Sequence, residues 1–92
     1  MRTYKIPALG LEVMSEDVKP GKAMDLIAEG WRPPTLEEIS LIWDLGKLGV
    51  LSIANGWFDV YLYQEKDDIW TGLYPQLGAR NLITRRRYVR DI

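Results

Sequence analysis

The sequence predicts an α+β domain, two helices packed on a twisted antiparallel sheet, within residues 1–92. Apolar residues alternate near the N-terminus, a helix-capping signature sits in the middle, and aromatic and β-branched residues crowd the second half. A chain of this length makes one domain that buries about 60% of its unfolded surface. Hydrophobic residues at 47% and charged residues at 27% match an ordinary globular chain rather than a disordered one.

Taken in order, Tyr4 and Ile6, then Leu9, Leu11 and Val13, alternate with polar or small residues and predict two short strands. Pro7–Gly10 between them has turn chemistry. A first helix is expected from near Pro20, with Ala23, Met24, Ile27 and Trp31 along one stripe and Gly30 ending it in a left-handed conformation. Pro33 and Pro34 then forbid helix immediately before Thr35. Thr35 with Glu38 three positions on is a capping box, and Glu37 and Glu38 complement the positive end of the helix dipole. Leu36, Ile39, Ile42, Trp43 and Leu45 form the expected core face, and the helix should stop at Gly46 or Gly49. Asn55-Gly56 fits a hairpin between 50–54 and 57–61, and an irregular loop over Gly49–Gly56 fits equally well.

Beyond residue 57 the pattern is that of strands. Trp57–Tyr63 forms one, Asp67-Asp68 a turn, and Ile69–Tyr74 its partner. Pro75–Gly78 turns again, and Arg85–Ile92 is read as a last strand with Arg86, Tyr88 and Arg90 on one face and Val89 on the other.

Gly30-Trp31-Arg32-Pro33-Pro34-Thr35-Leu36-Glu37-Glu38-Ile39, preceded by the short helix at Gly21–Glu29 and followed late in the chain by Tyr88-Val89-Arg90, resembles the Lcl C-terminal-domain family. Pro33 stands where that family usually has Leu, and Tyr61-Leu62-Tyr63-Gln64 replaces its frequent Tyr-Trp-Ser-Ser. The resemblance implies a minimal C-type-lectin-like fold, shared with the formylglycine-generating enzymes, over roughly residues 10–92. It does not extend to either chemistry: the Glu-Pro-Asn and Trp-Asn-Asp calcium–sugar motifs and the oxidase cysteines are missing from the sequence.

The chain has no His and no Cys, which removes the common zinc sites, Ser–His triads, cysteine nucleophiles and disulfides. No cofactor or metal is expected, and no P-loop, Rossmann loop or helix–turn–helix pattern occurs. Glu65, Asp67 and Asp68 are the densest carboxylates, but without the spaced ligands of a calcium loop they read as a charged turn. A glycosidase pair built on Asp59 or Glu65 would lack a deep cleft, and Arg32-Pro33-Pro34 is a rigid lead into the helix rather than an SH3 ligand. The expectation is therefore not an enzyme.

The formal charge is −1, with residues 1–74 carrying 7 basic against 12 acidic residues and residues 75–92 carrying 5 Arg against Asp91. Such a balance disfavours nucleic acid as a partner, and Arg85, Arg86, Arg87 and Arg90 are expected on a solvated strand pairing with the acidic body. No signal peptide or membrane span is visible, so a cytoplasmic protein is expected, either monomeric or paired with a second copy along an exposed last strand.

The remaining signal is aromatic. Alternation puts Trp57, Asp59, Tyr61 and Tyr63 on one face and Phe58, Val60 and Leu62 on the other, the second set being core. The expected function is a non-catalytic recognition module binding a protein partner through Trp57, Tyr61, Tyr63, Trp70, Tyr74, Arg80, Arg86 and Arg90. A stoichiometric inhibitor of a host protein encoded by a phage or mobile element, and calcium-independent carbohydrate binding on Trp57 or Trp70, are the alternatives.

Overall fold

The computed structural model describes residues 2–54, 56–65, 68–76 and 81–92, without the side chains of residues 20, 23, 24 and 68–71. Strands β1 (Thr3–Ile6) and β2 (Leu11–Met14) form an antiparallel hairpin in register Thr3↔Met14. A single 3-10 turn over Pro7–Leu9 joins them, closed by Gly10 at φ 61°, a conformation that glycine adopts without strain. A second 3-10 turn, Pro20–Lys22, leads into helix α1 (Ala23–Ala28), and Gly30 at φ 91° follows as the sequence leads one to expect.

Helix α2 (Leu36–Lys47) starts where the capping box places it. Thr35 N–H donates to Glu38 Oε1 at 2.9 Å and Glu38 N–H to Thr35 Oγ1 at 3.3 Å, so two orphan donors of the first turn are satisfied. Ile39 and Ile42 are fully buried, with Trp43 and Leu45 packed beside them, whereas Leu36 lies exposed and is not part of the core face. No strand forms over 51–54, so the irregular loop replaces the hairpin there.

The second half supplies β3 (Asp59–Glu65), β4 (Asp68–Tyr74), β5 (Ile83–Arg85) and β6 (Val89–Asp91). Asp68 belongs to β4, paired with Glu65, rather than to the turn, and Asp67 lies outside the described residues. The turn expected at Pro75–Gly78 runs into residues 77–80, also outside them.

Two corrections concern the sheet. Among the described residues there are two three-stranded sheets, ordered β1-β2-β6 and β4-β3-β5, not one. The pairing of β3 with β5 is parallel, in register Asp59↔Ile83, so the second sheet is mixed rather than antiparallel. The expected last strand, 85–92, is correspondingly split: β5 joins one sheet and β6 the other, antiparallel to β2 with Val13↔Val89.

The core explains the arrangement. Leu11 and Val13 of β2, Ile39 and Ile42 of α2, Tyr61 and Tyr63 of β3 and Val89 of β6 form one cluster. Met14, Leu26, Trp31 and Tyr88 form a second. Neighbouring residues of β2 thus serve both clusters, so this central strand is buried on its two faces while β1 at the edge stays largely exposed. Each aliphatic side chain fully buried in this way contributes about 1.5–3 kcal/mol relative to exposure.

The two segments of the family-like pattern meet in space. Arg32 N–H donates to the Val89 carbonyl at 2.8 Å and Val89 N–H returns a bond to Arg32 at 2.9 Å. The Arg32 guanidinium then grips Glu38 at 2.7 and 2.8 Å and Asp91 at 3.0 and 3.2 Å. One side chain therefore ties the start of α2 to the last strand, and its guanidinium is held charged by the two carboxylates.

Candidate functional site

The surface of interest is built at the junction where the chain enters β3. Residues 56–59 make a tight turn, with Asp59 N–H reaching the Gly56 carbonyl at 3.3 Å. The Asp59 carboxylate stabilises it from inside: Oδ2 accepts the Gly56 N–H at 2.9 Å and Oδ1 accepts Arg85 Nε at 3.1 Å. A β-carbon at Gly56 would lie 2.6 Å from Asp59 Oδ2, so a side chain there would require the Asp59 carboxylate to move.

A turn locked by its two ends projects its two middle residues, here Trp57 and Phe58. Trp57 is 92% exposed and Phe58 49%. Ile83 of β5 lies directly alongside, 49% exposed, its N–H donating to the Phe58 carbonyl at 2.8 Å. The three are exposed apolar residues brought near one another, by chain adjacency and by that backbone bond, at the edge of the second sheet.

Beside it, on the Thr84 side of β5, a hollow of about 290 Å³ is lined by Asp17, Val18, Lys19, Thr84, Arg85 and Arg86. Val18 N–H donates to the Arg86 carbonyl at 2.9 Å, which holds the Lys19 segment against the end of β5.

The other predicted partner residues are placed differently. Tyr61 and Tyr63 are 1% and 8% exposed, and neither ring belongs to a surface. The physical reason is that β3 is the central strand of its sheet and is buried on both faces: Val60 and Leu62 are buried as well. Tyr61 packs edge-on to Trp43, its hydroxyl donating to Asp17 at 2.8 Å and accepting the Ala54 N–H at 2.9 Å. Burial pushes that hydroxyl up to about 12. Phe58, assigned by alternation to the core, is half exposed because it lies in the turn and β3 begins only at Asp59.

Tyr74 is half-buried, edge-on to Trp43 and within 3.4 Å of Ser40 Oγ. Trp70 lies in β4 with its side chain outside the description, and Arg80 lies outside the described residues. Arg86 lines the hollow. Arg90 is committed internally, at 2.6 Å from Glu12 and with its guanidinium 4.3 Å from the centre of the buried Trp31 ring.

The arginine-rich end pairs with the acidic body, as expected, but it is not a solvated strand. Arg85 pairs with Asp59, Arg87 with Asp17 and Arg90 with Glu12, and the Arg87 side chain is only 1% exposed. Sequence reasoning named neither Ile83 nor the part that Asp59 and Arg85 play in fixing the turn. Asn55-Gly56 ahead of Asp59 marks a turn, but the partnership of Asp59 with Arg85 spans 26 positions and leaves no local trace.

Among the described residues no group of three or more acidic side chains is placed to hold a metal ion. Among them, no helix is long and apolar enough to cross a membrane. Comparison of the chain with protein-family models, with curated proteins and with solved structures found no match.

Proposed function

We propose that the chain is a non-catalytic recognition module that binds a protein partner through Trp57, Phe58 and Ile83. The observation that carries this is the exposure of Trp57. A domain of this size has little apolar surface to spare, and leaving a tryptophan ring in water forgoes about 2–3 kcal/mol of burial. Tryptophan is the residue type most enriched where truncation costs most binding energy. The turn is fixed by Asp59 and Arg85 before any partner arrives, so little ordering remains to be done on association.

The Lcl-like, C-type-lectin-like reading of the fold belongs to this proposal. It is supported by the meeting of the Trp31–Ile39 and Tyr88–Arg90 segments, which act here as structural parts. A carbohydrate stacked on the same open indole is the second reading, favoured by the same exposure and distinguished by a glycan array.

Trp57→Ala tests the proposal. Because the ring touches little of its own fold, thermal and urea unfolding should change by less than about 0.5 kcal/mol. Capture of partner from a lysate should fall by about tenfold or more. Equal capture by the variant and the native protein would contradict the proposal.

A further inference from the structure

We infer that the chain associates head to tail with copies of itself, the Lys47–Leu48 corner of one copy seating in a hollow at the opposite end of α2 in the next. That hollow measures about 370 Å³ and lies between the 3-10 turn of the first hairpin and the first turns of α2. Leu9, Leu11 and Leu41 line it together with Thr35, Glu37 and Glu38, and among the described residues no cation does. Leu9 is exposed, so the apolar lining is open to an incoming side chain. Glu38 is taken up by Arg32, whereas Glu37 is exposed and forms no ion pair among the described residues.

At its other end α2 finishes on the reverse arrangement. Leu48, the C-cap residue, is 77% exposed, and Val50 beyond it is exposed as well. Lys47 beside them is exposed, its ammonium 5.8 Å from the centre of the Trp43 ring and in no ion pair with a carboxylate among the described residues. Each copy thus carries an apolar tip next to an unmatched cation and an apolar hollow next to an unmatched carboxylate, and the one is the complement of the other. The helix rises about 15 Å between Glu37 and Lys47, so the tip and the hollow of one molecule do not meet. A copy whose hollow is filled still offers its own tip, and the contact repeats along a row or ring rather than closing a two-fold pair. At a formal charge of −1 little net repulsion opposes this.

The test is sedimentation of the full chain from about 10 µM to about 1 mM, the range that a contact anchored on one leucine and one ion pair can reach. The weight-average mass should rise with concentration, and added salt should reduce the rise. Glu37→Lys and Lys47→Glu, both at exposed positions, should each associate about tenfold more weakly. An equimolar mixture of the two should regain the native association, because each then supplies the charge that the other lacks. Leu48→Ser should stay monomeric, while Trp57→Ala should assemble like the native chain, which keeps this contact apart from the recognition surface. A mass that stays monomeric over the whole range would overturn the inference. So would a mixture no stronger than its components, association that survives Leu48→Ser, or association lost in Trp57→Ala, each of which puts the contact elsewhere. A monomeric chain whose Leu41 resonances move only with a foreign basic–apolar peptide would show another occupant and overturn it as well.

Discussion

At Arg87 a full positive charge sits almost without contact with water, and its nitrogens are directed at acceptors from distant parts of the chain. Nε and Nη2 donate to Asp17 Oδ1 at 3.1 and 2.8 Å, Nη1 to the Met14 carbonyl at 3.1 Å, and Nη2 also to the Ser52 carbonyl. Removing the guanidinium leaves Asp17 and two carbonyls short of donors, so Arg87→Met should lose about 3–5 kcal/mol in urea unfolding. A loss below about 1 kcal/mol would mean that Asp17 finds water in its place. The sequence shows three consecutive arginines and nothing to say which one turns inward. That choice is made by Asp17, 70 positions away. Tyr61 and Tyr63 were misplaced for a related reason: alternation separates two faces, but it names a solvent face only when one exists, and β3 has none over residues 59–63.

Elements whose signals are local were legible. Every bond of the α2 capping box lies within four residues, and the helix begins at Leu36 as those residues dictate. Thr35→Ala should therefore cost about 1 kcal/mol of stability, while Thr35→Ser should retain most of it, as read by thermal unfolding. The short strands β5 and β6 were not legible as two. Each has three residues, and what divides them is that Ile83–Arg85 finds β3 while Val89–Asp91 finds β2. The exposed patch was legible in part: Trp57 carries it as expected, but Phe58 and Ile83 enter through the turn at Gly56 and the parallel register of β5.

For the molecule as a whole, ion pairs close the chain on itself, and their titration sets the pH range of the fold. Hydrogen bonds from Thr3 and Arg90 hold the Glu12 carboxyl below its ordinary range, and Arg32 does the same for Asp91. On Glu38 burial pushes upward, but the bonds from Arg32 and the Thr35 backbone outweigh it and the net direction is down. Carboxyls depressed in the folded state contribute stability above the unfolded value of about 4, and that stability is lost as pH falls through the folded values. The melting temperature should therefore drop steeply below about pH 4. At the other end, Tyr61 keeps its proton in the fold up to about 12. The unfolded chain gives its phenol protons up near pH 10, so stability should decline from about there upward. A melting temperature flat down to about pH 2 would contradict these pairings. The central claim, that the Trp57 turn is where a partner protein sits, is tested most directly by placing a photo-crosslinking phenylalanine analogue at position 57 and, separately, at Leu48, which is 77% exposed at the end of α2. Irradiation in cells should give one dominant protein adduct from position 57 and none of it from position 48. The same adducts from both positions, or a dominant one from position 48 alone, would contradict it.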